Sequence, residues 1–196
     1  MTTVLRRRQV VEMLLKDRKA LLVVAGLGST AWDITAVGDA PLNFPLWGAM
    51  GNAAMIGLGL ALAQPARRVL VITGDGEMLM GLGSLATIGA QRPRNLSVVV
   101  IDNERYGETG MQATHTASGA DLARVALACG FRSARQIRAP GQLAKLRGAI
   151  HGAPGPHFAQ VKVVAEKLPL VLPPREGALL KVRFRRALLG IDSDLA

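Results

Sequence analysis

The sequence predicts an α/β protein: a doubly wound, mostly parallel six-stranded sheet with helices on both faces. Three observations lead there. Short apolar runs such as LLVVA (21–25), VLVIT (69–73) and LSVVVID (96–102) lack the apolar–polar alternation of a strand with one wet face. Strands of this kind are covered on both sides, as in parallel sheets. Segments with helical spacing of apolar residues lie between the runs, so strand and helix alternate along the chain. Glycines follow the runs directly, at 26–28 and 74–76, where a strand must turn into a helix.

The elements follow in order. Residues 4–15 space their apolar side chains as a helix does. Residues 20–26 form a buried strand, and its glycine turn opens a helix over 29–37. Pro41 and Pro45 bracket a short extended connection. The next stretch, LWGAMGNAAMIGLGLALA (46–63), has only Asn52 as a clearly polar side chain and approaches the length of a membrane span. Its four glycines, and Pro65 and Arg67 just beyond, favour a helix buried on all sides or lying at a subunit contact. A strand is expected at 67–74, a helix at 78–91 and a strand at 95–103. A polar, glycine-containing loop follows. Then come a helix at 121–129, a weaker strand at 131–137, a helix at 141–150 and a strand at 157–164. Residues 1–165 thus make one domain. From 166 to 196 the pattern dissolves into a proline-containing basic tail, expected to pack on a neighbouring subunit.

Composition narrows the function. With 24 Lys and Arg against 14 Asp and Glu the net charge is +10, and residues 124–147 hold six basic residues and no acidic one. Such a surplus suits an anionic substrate, an acidic partner or nucleic acid, and equally a solvated basic surface. Aromatic residues for base stacking are scarce and no nucleic-acid-binding motif is present, so nucleic acid is not expected as a partner, nor is a membrane. One cysteine, Cys129, excludes a disulfide framework and a cysteine-based zinc site. The first residues lack the pattern of a secretory signal, and a cytoplasmic location is expected.

In open parallel sheets ligands bind beyond the carboxyl ends of the strands. Three loops fall at that edge: 26–30, 74–77 and 102–116. GLGSTA (26–31) has the G-x-G-x-x-A form of a dinucleotide fingerprint, but no ribose-binding acid follows at the expected distance. A tight turn or a phosphate loop of another kind suits it better. GDG at 74–76 and Asp-Asn at 102–103 carry more. Asp75 offers a hard anionic oxygen and Asn103 a neutral carbonyl oxygen at a neighbouring strand end. Oxygen donors of this kind suit Mg2+, which commonly binds through one or two protein groups together with substrate phosphates. The plainer alternative makes Asp75 a helix cap and Asn103 a turn residue.

GDG with an Asn that ends a strand 28 residues after its Asp resembles the cofactor motif of thiamine-diphosphate-dependent enzymes. Over about 4–165, with GAMGNAAMIGLGLALA, MLMGLGSLATIG and DNERYGETGMQAT, the chain is most similar to the β subunit of sulfopyruvate decarboxylase and the matching half of phosphonopyruvate decarboxylase. The resemblance implies a diphosphate-binding domain that uses thiamine diphosphate and Mg2+. Asp75, the Asn103 side chain and the Arg105 carbonyl would hold the metal. Gly28, Ser29 and Thr30 would lie beside the diphosphate, with Gly74, Gly76, Glu77, Tyr106 and Gly107 also at the cofactor. Gly48 would offer its carbonyl to the aminopyrimidine, and Met50 would wedge between the two rings. Glu77 departs from the family, which usually has a small residue there, and its carboxylate would repel a diphosphate unless turned away.

The same family activates its cofactor with a glutamate from a second, pyrimidine-binding domain. Glu12, Glu104, Glu108, Glu166 and Glu176 all lack the expected setting. The resemblance therefore implies a partner, a pyrimidine-binding α subunit in an α2β2 assembly or a larger multiple, that completes a 2-oxo acid decarboxylase. A carboligase, an oxidative 2-oxo acid enzyme or a non-catalytic cofactor-binding subunit are the alternatives. His115, in the loop facing the substrate, could relay a proton, pair with an anionic tail, or be a plain exposed histidine.

Overall fold

The computed structural model of the protein describes residues 4–190. In chain order the elements are α1 (Arg7–Leu15), β1 (Leu22–Ala25), α2 (Ser29–Ala36), β2 (Asn43–Pro45), α3 (Ala53–Ala63), β3 (Val69–Gly74), α4 (Asp75–Met80), α5 (Ser84–Gln91), β4 (Leu96–Asp102), β5 (Arg105–Tyr106) and β6 (Gln112–Ala113). A 3-10 turn (His115–Ser118) follows, then α6 (Leu122–Ala128), β7 (Ser133–Ile137), α7 (Pro140–Gly152), β8 (His157–Lys162) and α8 (Gly177–Leu189). Six strands form one sheet in the order β2-β1-β3-β4-β8-β7, and every pairing in it is parallel. β5 and β6 form a separate antiparallel hairpin.

Alternation within each strand divides the core in two, as the period of two requires. Leu22, Val24, Val71, Val98, Val100 and Phe158 point to the face covered by α3, α5, α6 and α8. Val23, Ala25, Leu70, Ile72, Val99, Ala159 and Val161 point to the face covered by α1, α2 and α7. Both faces are dry, which is why the strand sequences read as unbroken apolar runs.

The structure corrects several expectations. The helix expected over 78–91 is two, because the Gly-Leu-Gly at 81–83 interrupts it between α4 and α5. The helix expected from 46 begins only at Ala53. It is not buried on all sides: Ala53, Ala54, Gly57, Leu58 and Ala61 face the sheet, while Met55 and Leu62 are exposed. The extended connection at 41–45 contributes an edge strand, β2. No helix among the described residues is long and apolar enough to cross a membrane.

The tail is less irregular than its sequence pattern suggests, since it holds a helix. Most of it is ordered on the protein's own chain. Arg6 pairs with Glu166, Arg8 donates to the Pro169 carbonyl, and the Trp47 indole N–H donates to the Pro174 carbonyl. Beyond these anchors α8 packs on β2. Phe184 meets Phe44 edge to face at 5.5 Å, and Arg183 pairs with Asp39. Leu180 and Phe184 are buried at a helical spacing of four, while Leu179 and Leu189 face outward. Residues 191–196 of the expected tail lie outside the described residues.

Candidate functional site

β1, β3 and β4 end on one edge of the sheet, where the chain reverses the direction in which strands are added. Ligands collect at such a reversal. A cavity of about 230 Å3 lies there, and it gathers parts of all three loops singled out in the sequence. Ser29 and Thr30 line it from the first, Gly74, Asp75, Gly76 and Glu77 from the second, and Asn103, Arg105, Tyr106 and Gly107 from the third. Met50 joins them. Gly28, Gly48 and His115 are not among the lining residues, and Gly48 and His115 are exposed. A larger groove of about 480 Å3 runs beside β7 and α7, but no carboxylate lines it, and nothing there matches the metal-type oxygen donors of the rim.

Asp75 opens α4 and is 2% exposed. It does not serve as a side-chain cap. Its Oδ2 instead accepts hydrogen bonds from the Thr114 hydroxyl at 2.5 Å and the Thr116 hydroxyl at 3.2 Å. Both threonines are buried at the 3-10 turn, with the exposed His115 between them. Asp75 forms no ion pair among the described residues. Burial pushes its pKa up to about 6; hydrogen bonds from Thr114, from its own backbone N–H and from Thr116 oppose that rise, and the nearby Asp102 charge adds to it. A buried carboxylate with hydrogen-bond donors but no counter-charge is one that a divalent cation would complete.

Asn103, on the wall of the same cavity, offers a second oxygen. Its Oδ1 accepts the Arg105 N–H at 3.0 Å, which is the turn role that the sequence left open. A carboxamide oxygen has two lone pairs, so the turn does not exhaust it. Mg2+ fits this donor set: one anionic and one neutral oxygen from the protein, with room in the cavity for phosphate oxygens.

The two glycines beside Asp75 are not equivalent. Gly74 has φ −88° with open space around it. At Gly76 an added Cβ would come within 2.4 Å of the Tyr106 ring, so only glycine lets Tyr106 lie against the turn. One carboxylate oxygen of Glu77, the departure noted in the sequence, is held by a side-chain donor, while Oε1 is buried without a hydrogen-bond partner among the described residues. Thr73 Oγ1 donates to Oε2 at 2.8 Å. Burial raises the Glu77 pKa against Thr73 and the backbone N–H groups of Gly51 and Ala53. Its carboxylate packs so closely on Gly26 that a Cβ there would sit 1.7 Å from Oε2.

Two clusters escaped the sequence reading. Asp102, 0% exposed, accepts from Lys162 Nζ at 2.8 Å, Gln160 Nε2 at 2.6 Å and Thr116 Oγ1 at 2.8 Å. Asp33, 1% exposed, accepts from Arg7 at 2.6 Å and Arg8 at 3.0 Å. The partners are distant in sequence, and only strand register brings Asp102 opposite Lys162.

A parallel sheet with an oxygen-donor pair and a phosphate-sized crevice at its reversal point defines an open α/β ligand-binding domain of the doubly wound kind. More specifically, the chain belongs to the thiamine pyrophosphate enzyme family, C-terminal TPP binding domain, whose family model matches residues 30–161. It is 43% identical over 131 residues to the sulfopyruvate decarboxylase subunit beta of Methanothermobacter thermautotrophicus, covering 67% of this chain and 70% of that one. It is 46% identical over 110 residues to the subunit beta of Methanocaldococcus jannaschii, covering 56% and 58%. The match to Streptomyces hygroscopicus phosphonopyruvate decarboxylase, 44% identical, covers 68% of this chain but 32% of that enzyme. Benzoylformate decarboxylase from Polynucleobacter necessarius shares the fold with a TM-score of 0.68 at 19% identity, over 85% of this chain and 34% of that one.

Proposed function

We propose that this chain is the cofactor-binding subunit of a thiamine-diphosphate- and Mg2+-dependent 2-oxo acid decarboxylase, acting on small 2-oxo acids of the sulfopyruvate and phosphonopyruvate kind. The buried, cation-free Asp75 beside Asn103 carries the reading, and the names of the relatives support its substrate class. Asp75, Asn103 and the Arg105 carbonyl hold Mg2+. Ser29 and Thr30, with the backbone at Gly28, receive the diphosphate, while Gly74, Gly76, Tyr106 and Gly107 shape the wall around it. Met50, at the cavity wall, would support the cofactor's rings, and Gly48 would offer its carbonyl to the aminopyrimidine where the partner subunit closes over it. When bound, thiamine diphosphate supplies the electron sink for the charge left by departing CO2.

The protein residues position the cofactor and exclude water. Thr114 and Thr116 orient the Asp75 carboxylate, Thr73 holds the Glu77 carboxylate at the cavity wall, and His115 enters no step. The activating glutamate comes from a pyrimidine-binding α subunit, in an α2β2 assembly or a larger multiple. Met55, Leu62, Trp47 and Met80 supply an exposed apolar surface for that partner. The complex works in the cytoplasm.

The test starts with the melting temperature of the purified chain in Mg2+, with and without thiamine diphosphate. A ligand at a hundred times its Kd adds about 2.7 kcal/mol. For a chain of this size that is a rise of roughly 5–10 °C. The rise is expected only when metal and cofactor are both present. CO2 release from sulfopyruvate or phosphonopyruvate is then measured after co-expression with a sulfopyruvate decarboxylase α subunit. No rise at millimolar ligand, or full turnover by this chain alone, overturns the proposal.

A further inference from the structure

The cavity has an unbalanced charge on each side. On one side lies Asp75, with no cation paired to it among the described residues. On the other, at the corner between β1 and α2, two arginines share one aspartate. Arg7 Nη1 donates to Asp33 Oδ2 at 2.6 Å and to the Ser29 carbonyl at 3.2 Å, and Arg8 Nε donates to Asp33 Oδ1 at 3.0 Å. Neither arginine pairs with a second carboxylate among the described residues. One guanidinium would neutralise Asp33, so the cluster retains one positive charge.

Of the two guanidinium groups, that of Arg7 is the one at the cavity. Arg7 is 4% exposed, and both Arg7 and Asp33 line the cavity beside Ser29 and Thr30, whereas the Arg8 side chain is 25% exposed and lies outside it. Helix stability does not ask for it, since Arg7 and Arg8 stand in the first turn of α1, where the helix dipole disfavours cations and no acidic residue offsets them. Arg7 hydrogen-bonds through Nη1 alone and shares its one carboxylate with Arg8, so the rest of its fork is left for an anion in the cavity. Glu108, on an exposed loop that lines the cavity, lies over Gly28 and feels the Arg7 charge without forming an ion pair with it among the described residues.

We infer that Arg7, aimed by Asp33 and the Ser29 carbonyl, is the positive pole that binds the terminal phosphate of the cofactor, opposite the metal pole at Asp75. Metal-bound diphosphate has this layout, with a cation and excess anionic oxygens a few ångströms apart. A guanidinium fork suits phosphate oxygens better than a point charge does. The inference rests on the cofactor reading above and adds to it a residue from outside the glycine motifs, brought in by α1.

The test is a titration of the purified full chain with Mg2+-diphosphate and with Mg2+-thiamine diphosphate, followed by calorimetry, for the wild type, Arg7→Gln and Arg8→Gln. Both variants remove one charge and leave Asp33 with one arginine, so neither strands a buried carboxylate. Arg7→Gln is expected to weaken both ligands by about tenfold or more, the loss of one charge-assisted phosphate contact. Arg8→Gln is expected to stay within about threefold, because its charge lies outside the cavity and is screened. Mn2+ affinity without phosphate is expected to be unchanged in both.

Equal affinities for wild type and Arg7→Gln, or equal losses for the two variants, overturn the inference while leaving the cofactor reading standing. Wild type that binds neither ligand overturns the cofactor reading, and this inference with it. If Arg7→Gln melts before it can be titrated, Arg7→Lys replaces it, and wild-type affinity in that variant overturns the role of the fork.

Discussion

Asp75 and Asp102 stand at the ends of neighbouring parallel strands, each closing an apolar run, and they are 2% and 0% exposed. Their surroundings differ in one respect. Asp102 receives Lys162, Gln160, Thr116 and the Glu104 backbone N–H. Asp75 receives the Thr114 hydroxyl, has the shared Thr116 hydroxyl within reach, and meets no cation among the described residues. The chain therefore neutralises one carboxylate itself and leaves the other oriented but uncompensated. Burial by itself does not distinguish a structural aspartate from a ligand-binding one. For these two aspartates the difference is a counter-charge among the described residues, which Asp102 has and Asp75, the proposed metal ligand, lacks.

Removing that counter-charge should have the largest effect. Burial tends to lower the Lys162 pKa, but the Asp102 and Glu104 carboxylates more than offset this, and the ammonium stays charged. Lys162→Met leaves Asp102 as a buried charge with only neutral donors, and breaking a buried pair in this way costs about 3–5 kcal/mol. Urea unfolding of the variant is the measurement. A loss below about 1 kcal/mol would mean that Asp102, too, is tolerated without a cation, and the contrast with Asp75 would collapse.

Asp75→Asn makes the opposite case. The wild-type carboxylate is destabilised by burial, as its raised pKa records, so the neutral amide should leave the ligand-free melting temperature unchanged or higher. The ligand-dependent gain of about 2.7 kcal/mol should vanish with it. Destabilisation of the free protein together with a retained response to Mg2+ and thiamine diphosphate would mean that Asp75 is structural after all.

This contrast also marks what a single sequence can reveal. The parallel sheet was legible because both faces are buried, and GDG with Asn103 was legible because a short motif and its spacing survive without knowledge of contacts. Asp102 was equally visible as a strand-end acid. Its meaning was not, because Lys162 and Gln160 lie about sixty positions away and reach it only through β4–β8 pairing. Arg7 was hidden for the same reason, since a run of three arginines at a helix start reads as a solvated charge cluster until Asp33 is placed beneath it. α8 was missed for a different reason. The prolines before it suggested an irregular tail, although Leu180 and Phe184 already carried the spacing of a buried helix face.

The smallest effect is expected where the two aspartates meet. Thr116 Oγ1 lies 2.8 Å from Asp102 Oδ1, 3.2 Å from Asp75 Oδ2 and 2.9 Å from Thr114 Oγ1. One hydroxyl has one proton to give, so it serves one carboxylate at a time, and the shorter contact favours Asp102. Thr116→Val keeps the volume and removes that proton. Lys162 and Gln160 still satisfy Asp102, and Thr114 still holds Asp75 at 2.5 Å. The cost should be about 1.5 kcal/mol, the low end for a hydrogen bond to a charged group. Unfolding of Thr116→Val with and without Mg2+ and thiamine diphosphate divides that cost between the two corners. An equal loss in both conditions means that the hydroxyl serves Asp102 and the fold. A loss that grows in the presence of ligand means that it aims Asp75 at the metal, and the structural corner then acts directly on the functional one.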